Sequence, residues 1–148
     1  MNLVIDTNIL SKLCYPKPDA NKPVIEKFKE ISLSGNYKIF IPEICVYELK
    51  RGLLLNKYKA KEPGEKALNR LENLITNIEI VKLESADLNI AAQLWADSRA
   101  KGLSTAGDEA LDADVILAAQ AIKMNAAVVT ENVKHLARYT SAKTIFEL

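Results

Sequence analysis

Apolar and polar positions along the chain follow two alternating rhythms. "NLVID" (2–6), "YKIFI" (37–41), "IEIVKL" (78–83), "AAVVTEN" (126–132) and "KTIFEL" (143–148) are short apolar runs, the pattern of buried strands. The segments between them are helical. One helix begins at Thr7 and is broken by "YPKPD". A second, "NKPVIEKFKEISLS" (21–34), stops at Gly35. A third opens with Pro42 as its first helical residue. "KEPGEKALNRLENLI" (61–75) enters through Pro63-Gly64, and "SADLNIAAQLWADSRAKG" (85–102) ends at Gly102. "LSTAGDEAL" (103–111) reads as a polar loop, and "DADVILAAQAIKM" (112–124) as a strongly apolar, central helix. Strands alternating with helices predict an α/β sandwich with a mostly parallel, roughly five-stranded sheet, in a single domain over 1–148.

Composition bounds this picture without changing it. The chain has 148 residues, 49% of them hydrophobic and 26% charged, as in ordinary globular domains. No apolar run approaches the roughly 20 residues that span a bilayer, and the start lacks a secretory signal pattern. The two cysteines, Cys14 and Cys45, sit in apolar contexts and are expected reduced and buried in a cytoplasmic protein. Net charge is +1, which decides nothing about nucleic acid. Basic residues do crowd two stretches, around Lys50 and Arg51 and around Lys134 and Arg138. They are either solvated surface or a rim facing phosphates.

The candidate chemistry lies with the acids. In open parallel sheets, sites form beyond the carboxyl ends of the strands. Asp6 ends the first strand there, and Thr130-Glu131-Asn132 ends the fourth. Asp6 can equally be the N-cap of the next helix. Glu48 falls about a turn and a half into the third helix, beside Ile44 and Cys45, where a buried glutamate needs a cation or metal; the alternative is an exposed bridge to Arg51. Glu43, in that helix's first turn, is accounted for by the helix dipole. Asp112 and Asp114 precede "VILAAQAI" at an expected helix start, more acids than one cap requires. Several carboxylates converging on one sheet edge repel one another. A divalent cation resolves that, and oxygen ligands suit Mg²⁺ or Mn²⁺. The single histidine, His135, is expected in a loop or on the surface, and metal-free catalysis by a histidine acid with a histidine base is not available.

"VIDTN", "ELKRG", "DADVILAA" and "VVTEN", in that order and over nearly the whole chain, resemble the four motifs of the PIN domain, in particular the VapC-type toxins of bacterial toxin–antitoxin pairs. The resemblance implies a three-layer, Rossmann-like α/β/α sandwich and a Mg²⁺- or Mn²⁺-dependent ribonuclease. It matches Asp6, Glu48 and Asp114 to the family's three acids. The family's frequent fourth aspartate, in a T-x-D pattern, is here Asn132, a neutral oxygen ligand, with Asp112 available to supply charge. Thr7, Asn8 and Thr130 are expected to orient the ligands from behind. The resemblance also implies an RNA substrate, a homodimer and a cognate antitoxin; Leu53-Leu54-Leu55 offers a candidate interface. Two rivals remain: a PIN-like module that binds RNA or protein with little cleavage, which Asn132 keeps open, and a phosphotransferase with Asp6 as nucleophile, which Asn8 disfavours. A nucleotide-binding Rossmann protein lacks its glycine-rich loop.

Overall fold

The first strand shows how the chain organises itself. Leu3, Val4 and Ile5 are wholly buried, as are Val128 and Val129, so both strands must be covered on both faces. The computed structural model describes residues 1–15, 19–59, 61, 64–103 and 108–148, with 108–112 described by backbone alone. Five strands, β1 (Asn2–Ile5), β2 (Lys38–Pro42), β3 (Glu79–Val81), β4 (Ala126–Val129) and β5 (Ala142–Lys143), form one parallel sheet in the order β3-β2-β1-β4-β5. Seven helices accompany it among the described residues. They are α1 (Thr7–Cys14), α2 (Lys22–Leu33), α3 (Glu43–Tyr58), α4 (Gly64–Asn77), α5 (Ser85–Ala100), α6 (Asp108–Lys123) and the single turn α7 (Val133–Leu136). The architecture is a three-layer α/β/α sandwich. None of these helices is long and apolar enough to cross a membrane.

The main core gathers the inner faces of β1, β2 and β4 with α1 to α4. A second, smaller cluster joins Ala91 of α5 to Val115 and Ala119 of α6. The alanine-rich face of α6 lets it pack closely, and Ala118, Ala119 and Ala121 are all buried. Its Gln120 donates to the Val81 carbonyl at 2.9 Å, tying the helix to β3. Both cysteines are free and buried. Burial pushes the Cys14 thiol up to about 12, against the nearby Arg70 charge, and raises Cys45 as well, so neither offers a thiolate near neutral pH.

Several boundaries differ from the expectation. Pro42 is the last residue of β2 and the N-cap of α3, with ψ at 137°, so the helix itself starts one residue later. The segment read as a polar loop over 103–111 contains the first turn of α6, which begins at Asp108. "DEAL" is rich in helix formers with acids leading, and its polarity hid a helix start. Asp114 is therefore the seventh residue of α6, beyond reach of any capping role. The last strand is also corrected: β5 is only Ala142–Lys143, and Ile145–Glu147 form a 3₁₀ turn. There Glu147 accepts from both the backbone N–H and the hydroxyl of Thr144, so a T-x-x-E capping box overrode the β-branched look of "KTIFEL". Pro16, Pro18 and Pro63, and the side chain of Asp112, lie outside the described residues.

Candidate metal centre

The strand order reverses direction between β1 and β4, which pair in parallel from Asn2 with Ala126 to Ile5 with Val129. This is the switch point at which such sheets open a crevice. Asp6 continues β1 at that edge, and its N–H bonds the Val129 carbonyl at 3.0 Å. It is only 7% exposed. Its Oδ1 accepts the Thr7 backbone N–H at 2.6 Å, so Asp6 does cap α1. Capping uses one oxygen. Oδ2 accepts the Thr130 hydroxyl at 2.6 Å and the Asn8 amide at 2.7 Å. That same amide also reaches Thr130 Oγ1 at 3.1 Å, and Thr130 Oγ1 accepts the Asn132 N–H at 2.9 Å. Burial raises the Asp6 carboxyl above its ordinary range, with the Glu48 charge adding to it; the bonds from Thr130, Thr7 and Asn8 work against the shift.

Two helices bring the other acids. Glu48 of α3 is half-buried, and its Oε2 accepts the Thr7 hydroxyl at 2.7 Å. Arg51, the alternative partner, instead lies over the Tyr47 ring at 5.3 Å. Asp114 of α6 accepts from His135 Nε2 at 2.8 Å. Burial pushes Asp114 up to about 6; the His135 contact opposes that, and the charges of Asp6 and Glu48 add to it. The three carboxylates therefore sense one another electrostatically. All three line one cavity of about 510 Å³, together with Asn132, Thr7 and Asn8.

His135 corrects the expectation of a surface residue. It is the third residue of α7, and its ring meets Asp114 on one side and the edge of Tyr139 at 6.5 Å on the other. The usable signal was its position three residues after Asn132, one helical turn on, which keeps it at the same sheet edge. The basic residues expected at an RNA rim lie outside the cavity lining. Lys50 pairs with Glu72 at 3.0 Å, Arg138 donates to the Leu103 carbonyl at 2.8 Å, and Lys134 is exposed on α7. No described residue lining the cavity is basic.

The donor set can be tested against a metal. Among the described residues, no three His, Cys, Asp or Glu side chains are drawn together as a ready cage. Glu48 and Asp114 are instead held by Thr7 and His135. The chemistry nevertheless fits a hard cation. The cavity offers carboxylate and amide oxygens, three carboxyl groups with no basic residue among its described lining, and two aspartates whose ionisation burial resists.

The fold and this cluster of acids at its switch point define a class. Residues 3–141 match the PIN domain, and the chain belongs to that family. It is 28% identical over 138 residues to Ribonuclease VapC2 of Rickettsia felis, an alignment covering 93% of this chain and 92% of the relative. The structure of VapBC2 from Rickettsia felis bound to a promoter DNA fragment superposes with a TM-score of 0.72 at 23% identity, covering 97% of this chain and 98% of that one. DNA-bound VapBC from Salmonella typhimurium gives 0.74 at 21% identity, with 98% of each chain covered.

Proposed function

We propose that this PIN domain is a Mg²⁺- or Mn²⁺-dependent endoribonuclease, acting as the toxin of a toxin–antitoxin pair. The observation that carries the reading is the arrival of Asp6, Glu48 and Asp114 from three separate elements in one cavity with no basic residue among its described lining. Asp6 and Asp114 would hold the ion, and Asn132 would add a neutral oxygen. Glu48 would bind it or orient the attacking water, steadied by Thr7. Thr130 and Asn8 keep the Asp6 oxygens aimed while the ion comes and goes. A bound divalent ion lowers the pKa of its water and offsets charge on the phosphodiester oxygens. The likeness to Ribonuclease VapC2 supports RNA as substrate.

The similar solved structures are VapBC complexes, which supports a cognate antitoxin for this chain. Growth arrest on expression, relieved by a protein encoded beside it, would carry that claim; arrest unaffected by any neighbour would remove it. Of the three leucines offered as an interface, Leu53 is buried in the main core, while Leu55 is 52% exposed on α3 beside Tyr47 and Tyr58 at 59% and 86%; that exposed face supports a homodimer, and a monomeric mass in light scattering would remove it. The free buried thiols fit a cytoplasmic setting.

Asn132 favours one second reading, a PIN-like module that binds RNA without cutting it. Cleavage of a cellular RNA pool by the purified protein separates the two. The nuclease reading expects cutting with Mg²⁺ or Mn²⁺, none with EDTA, and none from Asp6→Asn. A folded wild type that cuts nothing with either metal contradicts it.

A further inference from the structure

Four glycines have described surroundings, and three have a reason within the chain. Gly35 and Gly102 take positive φ, 70° and 66°, just past the ends of α2 and α5. A Cβ on Gly64 would lie 2.8 Å from the Lys57 backbone nitrogen, where α4 turns back against α3. Gly52 is different. It sits in the interior of α3, and a Cβ there would meet nothing within 4 Å. Gly52 is exposed, so that open space is solvent; what marks the position is a glycine, among the poorest residues for a helix interior, where α3 faces the cavity. Gly52 lines the cavity of the acids.

The cavity has two helical walls with matching order. On α3, Glu48, Gly52 and Asn56 follow at four-residue spacing along one face. On the other side run Thr7, Ser11 and Tyr15, at the same spacing, with Tyr15 as the C-cap of α1. The inner ends are tied by the Thr7–Glu48 hydrogen bond at 2.7 Å. From the acids outward, the walls therefore pass from charged residues to a small pair, Ser11 and Gly52, and then to an aromatic ring and a carboxamide. Among the described residues that line it, the outer arm bears no charge to hold a phosphate. Tyr15, partly packed against the core, and Asn56 line the same cavity; a flat ring and an amide that both donates and accepts are the equipment that reads an unstacked base.

We infer that this outer arm is a nucleobase subsite. The ribose of the nucleotide flanking the cut passes over Ser11 and Gly52, and its base stacks on Tyr15 with an edge on Asn56. This deepens the nuclease reading and rests on it. It makes Gly52 and Tyr15 determinants of which sequence is cut, apart from the metal centre.

The test uses the full chain and a fluorescein-labelled single-stranded RNA spanning a site cut in the pool assay, with Ca²⁺ present during anisotropy measurements. Gly52→Ala is expected to melt about 2–4 °C higher, as a better helix former, yet to bind this RNA about tenfold more weakly. Tyr15→Leu should weaken binding about tenfold and Tyr15→Phe should not, as stacking requires. Mn²⁺ binding should be unchanged in all three. With the flanking base removed and its ribose kept, Tyr15→Leu should cost nothing further, while Gly52→Ala, under the ribose, should still weaken binding. Wild-type affinity in both variants on intact RNA overturns the subsite and leaves the arm to a peptide. Equal losses from Tyr15→Leu on intact and base-free RNA overturn it too. A wild type that neither binds nor cuts RNA removes the nuclease reading, and the subsite with it.

Discussion

The two sides of the acidic cavity are built differently. On the strand side, Asp6 is fixed by three donors, from Thr7, Asn8 and Thr130, on a backbone already paired to β4. On the helix side, Glu48 and Asp114 each rest on one side chain, Thr7 and His135. Burial raises both aspartates, but only Asp6 has three hydrogen bonds working against it. The strand side is thus held by several partners at once, and each acid of the helix side by one. That difference accounts for three carboxylates sharing one cavity without already forming a cage.

Substitutions can break the contrast at several strengths. Asp6→Asn has the largest expected effect, a loss of cleavage on the order of a thousandfold, since a metal contributes several kcal/mol to phosphodiester hydrolysis. Asparagine caps helices as well as aspartate, and it removes a carboxyl whose ionisation burial resists, but its amide nitrogen cannot accept the donors that meet Oδ2. These effects oppose one another, so the variant should remain folded, with a melting temperature within a few degrees of wild type. Thr130→Val keeps the shape of a wholly buried residue and deletes one donor to Asp6. Titration calorimetry should show Mn²⁺ affinity reduced roughly 10- to 100-fold.

The helix side should announce itself through pH. Asp114 holds its proton more tightly in the folded state, to about 6, than its ordinary value of 3.8. The stability this lends is present below about pH 4 and is lost as pH rises through 6. Metal-free melting temperature should fall across that window. A cation must displace the same proton, so Mn²⁺ affinity should drop about tenfold per pH unit below 6. A flat affinity from pH 5 to 7 would remove Asp114 from the ligand set. The smallest effect is expected from His135→Ala, a few-fold loss of Mn²⁺ affinity at pH 7.5. Its clearer mark should be a higher pH midpoint for metal binding, because His135 opposes the rise at Asp114.

Much of this arrangement is legible along the chain, for reasons that can be named. Asp6 and Asn132 were placed by the rule that polar residues beyond parallel strands meet at the switch point, and the β1–β4 pairing brings their strands side by side. Glu48 was placed by its apolar neighbours on α3. His135 escaped because its partner, Asp114, lies 21 residues upstream on another helix, and helical spacing describes only neighbours on the same element. Gly52 escaped for a related reason. A glycine in a helix reads as tolerated until its face is seen to line the acidic cavity. The "DEAL" and "TIFE" segments were misread because capping and dipole signals look polar or β-branched when taken by composition alone.

The most direct test of the central claim is calorimetric titration of Mn²⁺ into the metal-free protein at pH 7.5, beside Asp6→Asn. Saturable binding by the wild type, abolished in the folded variant, is the predicted result. Absence of binding by the wild type, or equal binding by both, would contradict the assignment of this cavity as a metal centre.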